Sequence, residues 1–167
     1  MITRILTGVV PMLIRSATVA DLPSLGRLGA LLMRVHQDFD RLRFLEPGDQ
    51  AERGYANFLG AQLRDPDSVV LVADNDGRVA GYVYAAVEPL SWKELRDQCG
   101  YIHDLVVDPA ERGHGAGSQL LEAAITWLRG RGMPRVVLGT AEQNEGAQRL
   151  FARAQFRRTM IEMTREL

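Results

Sequence analysis

The apolar positions of this chain fall into short blocks whose spacing changes from segment to segment, and each change predicts an element. Leu13 to Ser16 is a short apolar segment that predicts a first strand. Thr18, with Asp21 three residues later, resembles a capping box. Leu22, Leu25, Leu28, Leu32 and Val35 then recur at helical spacing, so a helix over about 20–36 turns one face inward. A second helix is predicted over 49–64, with Tyr55, Phe58, Leu59 and Leu63 on its buried side and Pro66 as its stop.

Ser68 to Ala73 is rich in Val and Leu, and the turn chemistry of Asp74-Asn75-Asp76-Gly77 leads into a second run, Arg78 to Val87; the two read as an antiparallel hairpin. Pro89 ends it, Leu90 to Gly100 reads as a loop or short helix, and Tyr101 to Val107 reads as a strand closed by Asp108-Pro109. Glycines crowd at Gly113, Gly115 and Gly117. Beyond them Leu120, Leu121, Ala124, Ile125 and Leu128 mark a helix that Gly130 and Gly132 end. A strand over 136–140, a helix over 145–154 and a final strand over 156–166 complete the order β-α-α-β-β-β-α-β-α-β. Mixing hairpin with crossover connections predicts an α/β fold whose sheet is mixed rather than purely parallel.

At 167 residues the chain suits one well-buried domain and is short for two. That domain is expected to cover 12–167, with 1–11 as a flexible extension and Met12 as an alternative start. A net charge of −1 argues against a general nucleic-acid or membrane-surface binder, which needs a clear basic excess. The distribution says more than the sum. From Pro109 to Arg158 eight Arg face four Glu, a charge of +4, whereas the residues before carry −4, so an anionic ligand favours the later half. The lone cysteine, Cys99, has no second thiol for a disulfide or a zinc site and reads as a passive thiol beside a strand. No apolar run approaches the roughly 20 residues of a membrane span. The opening segment lacks the features of a signal peptide, so a cytoplasmic location is expected.

The chemistry concentrates in Tyr101 to Ser118, YIHDLVVDPAERGHGAGS, where a strand runs into a glycine-rich turn that opens a helix. The first turn of a helix leaves backbone N–H groups unpaired and partly positive, and glycines let an anion approach them closely. Arg112 adds a full charge at the entrance. No Lys-Ser/Thr pair follows the glycines, as a nucleotide-triphosphate loop requires. The strand also does not open the chain with an acidic residue about 20 positions on, as a dinucleotide fingerprint requires.

RGHGAG at 112–117, the strand RVVLGT at 135–140 and NEGAQRLF at 144–151 together resemble the GCN5-related N-acetyltransferase (GNAT) superfamily, whose signature is R/Q-x-x-G-x-G/A, a later strand, then N-x-x-A-x-x-L-Y/F. The first 100 residues match by order of elements rather than by motif. The resemblance implies a largely antiparallel central sheet flanked by helices, with its central strands splayed. It implies transfer of an acetyl group from acetyl-CoA, the acyl-donor substrate, to an amine. A coenzyme-binding module without turnover is the alternative, and a homodimer is expected by analogy.

By the same resemblance, the backbone of Leu105, Val106 and Val107 pairs with the pantetheine arm like an added strand. Arg112 and the amides of Gly113, His114, Gly115, Ala116, Gly117 and Ser118 hold the pyrophosphate, while Asn144, Ala147, Phe151 and Arg153 line the rest of the channel. A backbone N–H near Val106 stabilises the oxyanion, and a carboxylate or imidazole removes the amine's proton; Asp104, His103 and Glu88 are the candidates. Each of the three also has a structural reading. His103 and Asp104 point to opposite sides of an ideal strand unless a bulge intervenes, and Glu88 can be a solvated strand end.

Two positions depart from the family pattern. Phe151 stands where a Tyr often protonates the leaving thiolate, and Gln155 stands where Gly usually precedes Phe156. His36, Asp38 and Asp40 alternate near a helix end and do not converge as metal ligands, so no metal is expected. The segment Val35 to Phe44 resembles a loop that borders the acceptor pocket in some bacterial members. Trp92 and Trp127 read as rim or core rather than as substrate stackers.

Overall fold

The computed structural model describes residues 12–167, so the expectation for 1–11 lies outside the described residues. Strand β1 (Leu13–Ser16) is followed by two helices, α1 (Leu22–Phe39) and α2 (Ala51–Gln62). Strands β2 (Ser68–Asn75), β3 (Arg78–Glu88) and β4 (Cys99–Val107) come next, then helix α3 (Ala116–Gly130), strand β5 (Val136–Leu138) and helix α4 (Glu145–Arg153). The sheet order is β1-β2-β3-β4-β5, antiparallel up to β4 and parallel between β4 and β5.

Local chemistry accounts for the boundaries. Asp76 and Gly77 both take positive φ, 52° and 83°, which is what a two-residue hairpin needs to match the twist of β2 and β3. Just past the end of helix α3, Gly132 takes φ 74°, and Gly132 N–H reaches the Arg129 carbonyl and Met133 N–H the Leu128 carbonyl. Asp21 reaches back to the backbone N–H and hydroxyl of Thr18, as the spacing suggested, and it also accepts from Arg15 at 2.8 Å.

The core has two layers, one on each face of the sheet. Leu120, Leu121, Ala124 and Leu128 of α3 and Phe151 of α4 cover Val83, Ala85 and Ile102. Leu25, Leu28 and Leu59 from α1 and α2 cover Val72, Tyr82 and Val106 on the other face. Phe58 departs from expectation: it is 44% exposed and stacks edge-on between Tyr55 and Tyr84 instead of entering the core. Trp92 is exposed on the loop after β3, and Trp127 is half-buried over the α3 layer beneath Arg131.

The final strand expected over 156–166 is absent; the segment runs as irregular chain with its side chains exposed after Phe156. Its would-be neighbour explains this. β5 stops after Leu138, so its outer edge offers a ladder of three residues, too short to hold an eleven-residue strand. The segment is instead tied by Glu162 to Arg43 and by Arg158 to Gln148.

The turn before that segment forms in spite of Gln155. The residue takes φ 67°, Gln155 N–H donates to Ala152, Phe156 N–H donates to Phe151, and the rings of Phe151 and Phe156 meet at 5.9 Å. These are the paired bonds and apolar contact of a left-handed helix stop, here made without glycine.

Candidate active site

The site forms where the sheet parts. β5 pairs with β4 at Gly100, Tyr101 and Ile102 and goes no further, so β4 from His103 to Val107 has no strand on that side. Through the opening runs a cleft walled on one side by Leu32 and His36 of α1, on another by Leu105 to Val107, and beyond by Asn144, Ala147 and Phe151 of α4. It thus passes from one face of the sheet to the other.

The glycine turn follows Arg112, which lines one half of this cleft. Gly113 and Gly115 have φ of 83° and 84°, conformations that L side chains rarely adopt. Gly115 caps α3, and the first helical hydrogen bond runs from Gln119 N–H to the Gly115 carbonyl at 3.0 Å, which leaves the amides of Ala116, Gly117 and Ser118 ahead of the ladder. Arg112 walls the cleft beside them and donates through Nε to the Val107 carbonyl at 3.3 Å. His114 is exposed, with Nδ1 3.4 Å from the Glu111 carbonyl.

A bulge decides the middle of the site. Tyr84 pairs with Asp104 while the next residue, Ala85, pairs with Ile102, so His103 is an extra residue in β4. The extra residue shifts the alternation. Ile102 faces α3, yet both His103 and Asp104 face the α1–α2 side, where an unbroken strand would have separated them.

Asp104 is buried, and Tyr55 and Tyr82 donate to its Oδ2 at 2.8 and 2.9 Å. Oδ1 has no protein donor among the described residues. Because none of their buried side-chain oxygens lacks a partner, that oxygen reaches the cleft that Asp104 helps to wall. Burial pushes the Asp104 carboxyl above the ordinary carboxylate range, against the lowering effect of the two phenols. The same burial, with the Asp104 charge, pushes the phenols of Tyr55 and Tyr82 up.

His103 and Glu88 pair with each other at the mouth, Nε2 to Oε1 at 2.8 Å, and the imidazole lies between the rings of Tyr84 and Tyr101 at 4.8 and 4.6 Å. Asn144 uses Oδ1 to cap α4 by accepting from Ala147 N–H at 3.1 Å, so its side-chain N–H2 is what remains for the cleft. Arg153 is exposed in the last turn of α4 and is not among the residues that wall the cleft.

His36, which the sequence raises as a metal ligand and as part of the Val35 to Phe44 segment, lines both halves of the cleft; Tyr55, expected on a buried helix face, and Tyr82, which the sequence does not single out, hold Asp104. Helical spacing placed these residues on inward faces but carried no sign of what they would meet. Among the described residues, no group of three or more His, Cys, Asp or Glu could hold a metal ion. Nor, among those residues, is any helix long and apolar enough to cross a membrane.

A mixed sheet parted between two strands, with a glycine turn at the start of the next helix, is the architecture of an acyltransferase. The chain belongs to the Acetyltransferase (GNAT) family, whose model matches residues 32–156. Among curated relatives, the mycothiol acetyltransferase of Thermomonospora curvata is 33% identical over 99 residues, which are 59% of this chain and 31% of that protein. The match thus spans about a third of that relative's length. An uncharacterised N-acetyltransferase of Archaeoglobus fulgidus is 36% identical over 95 residues, 57% of this chain and 63% of the relative.

Among solved structures, a tetramutant of the BH1408 protein from Bacillus halodurans superposes with a TM-score of 0.80 at 26% identity, covering 93% of this chain and 100% of that one. A predicted acetyltransferase from Clostridium acetobutylicum, solved with acetyl-CoA, shares the fold at a TM-score of 0.69 and 16% identity, covering 92% of this chain and 96% of that one.

Proposed function

We propose that this chain is an N-acetyltransferase that moves the acetyl group of acetyl-CoA to a primary amine by direct attack in a ternary complex, with residues 12–167 acting as one acetyltransferase domain. The acceptor is a small molecule, an amino acid, a peptide N-terminus or a lysine. One observation carries the reading: the unpaired edge of β4 borders a cleft with Arg112, the residue before the glycine turn, in one half and Asp104 in the other.

Each part then has a task. The pyrophosphate sits on the amides of the glycine turn beside Arg112, and the pantetheine arm extends along Leu105 to Val107, adding a strand where β5 is missing. A backbone N–H near Val106 meets the developing oxyanion. Asp104 accepts a proton from the incoming ammonium, directly or through water, and its upward-shifted pKa brings a carboxylate closer to the range a base needs near neutral pH. His103 and Glu88, already paired at the mouth, suit the guiding of the ammonium better than the removal of its proton.

A second reading, a coenzyme-binding sensor without turnover, rests on Phe151, which has no acidic proton to give a thiolate. Release of free thiol from acetyl-CoA across a panel of primary amines separates the two. Turnover with any amine supports the transferase; calorimetric binding of acetyl-CoA with no thiol release supports the sensor. Gly117→Val tests the placement of the pyrophosphate. A Cβ there meets only ordinary contacts, 3.6 Å from Leu150 and 3.7 Å from Val107, so the fold survives while affinity for coenzyme A drops at least about tenfold. Unchanged affinity would move the pyrophosphate elsewhere.

A further inference from the structure

Phe151 is buried in the wall of the cleft with Phe156 against it and has no proton to give a departing sulfur, so a side-chain donor, where one acts, is another group. Four protonatable side chains wall the cleft: His36, His103, Asp104 and Arg112. Arg112 keeps its proton at any working pH and is turned to the Val107 carbonyl. His103 has its Nε2 on Glu88 and its ring held between two tyrosines. Asp104 faces the amine. His36 remains.

Its position is particular. Among the described residues, His36 is the one titratable side chain common to the two halves of the cleft, the half with Arg112 and Val107 and the half with Asp104 and Phe151. Its orientation is fixed as well. Nδ1 lies 2.9 Å from the Leu32 carbonyl one turn back, and a carbonyl only accepts, so Nδ1 carries the hydrogen and Nε2 of the neutral ring is a free acceptor. Phe39 and Phe44 hold the ring edge-on at 6.0 and 4.9 Å.

We propose that His36 conveys the amine's proton to the leaving thiolate, replacing the phenol that Phe151 lacks. The step rests on the acetyltransferase reading, and its balance is closed. An ammonium acceptor loses one proton through Asp104 to solvent before attack. The nitrogen lone pair then forms the C–N bond, and Nε2 of His36 takes the second proton. The C–S electron pair leaves on sulfur, and the imidazolium returns that proton to it. His36 ends as it began, and the products are the acetylated amine and free coenzyme A. Asp104, on the opposite wall, steadies the transient imidazolium.

The test uses the full chain, saturating acetyl-CoA and whichever amine of the panel turns over fastest. His36→Asn keeps a donor for the Leu32 carbonyl and deletes Nε2. It is expected to lower kcat by about 10²–10³-fold with the KM for acetyl-CoA changed less than about twofold. Adding Phe151→Tyr to that variant is expected to recover at least about tenfold, which a purely structural role for His36 would not produce. His36→Gln serves if the Asn variant melts early. A kcat within about threefold of wild type in either folded variant overturns the proposal, as does a loss that Phe151→Tyr leaves unrecovered. Wild-type protein that binds acetyl-CoA yet releases no thiol with any amine overturns the transferase reading, and this one with it.

Discussion

Tyr55 of α2 donates its phenolic hydrogen to Asp104 of β4 across 2.8 Å, so a helix on one face of the sheet fixes a carboxylate at the point where the sheet opens. Tyr82 adds a second donor from β3 to the same oxygen. The carboxylate is therefore oriented, and its other oxygen is left for the cleft. Its folded-state pKa lies above the ordinary value, so above the ordinary carboxylate range the buried charge costs folding free energy, and protonation favours the folded chain.

Asp104→Asn removes that charge while keeping an oxygen for both phenols. kcat is expected to fall by about 10²–10⁴-fold at neutral pH, and the melting temperature at the same pH to stay level or rise. Steady-state kinetics alongside calorimetry check both at once. A variant with wild-type kcat removes Asp104 as the base.

Gly29→Ala reaches the same carboxylate from a distance. A Cβ at Gly29 would lie 2.0 Å from Cδ1 of Tyr55, so the ring must move, and with it one of the two donors to Asp104. Overpacking of this kind costs about 1–3 kcal/mol. Chemical denaturation is expected to show that loss, and kcat to fall beyond what the residual unfolded fraction explains.

Stability in acid is expected to depend on Arg15. Hydrogen bonding from its guanidinium, with help from Thr18, holds Asp21 down to about 2 from an ordinary 3.8. A depressed carboxylate contributes stability that is complete above its unfolded value and is lost as pH falls through its folded one. The wild-type melting temperature should therefore drop as pH is lowered from about 4 toward 2. Arg15→Leu should be less stable at neutral pH and show a shallower fall in that window. A parallel fall in both proteins would show that the pair does not set the acid limit.

Gln155→Gly is expected to stabilise. A non-glycine residue at φ 67° carries about 1–2 kcal/mol of backbone strain, offset in part by the extra freedom glycine gives the unfolded chain. The net gain expected is up to about 1 kcal/mol, a rise of about 2–4 °C in melting temperature for a chain this size. A lower melting temperature would mean that the Gln155 side chain makes a contribution of its own.

What could be read from the sequence was whatever a single residue type enforces by itself. Gly113 and Gly115 occur where the backbone turns left-handed, Asp76-Gly77 where a hairpin reverses, Gly132 where a helix stops, and the α1 and α3 faces followed from spacing alone. What could not be read depends on residues far apart in the chain. No local pattern announces that His103 is an extra residue against β3, so strand alternation set it opposite Asp104. Nor could α1 be seen to deliver His36 to a cleft shared with α4. The segment 156–166 reads as a final strand in sequence, but three-residue β5 gives it no ladder to join.

The early departure of β5 from β4 leaves a gap that the proposed donor would fill, making it a builder as well as a reactant. If the arm of the coenzyme lies along that open edge as proposed, its binding should be legible in slowed deuterium uptake along Leu105 to Val107 before any product appears. Capture of one substrate would then tighten the very framework against which the second must collide.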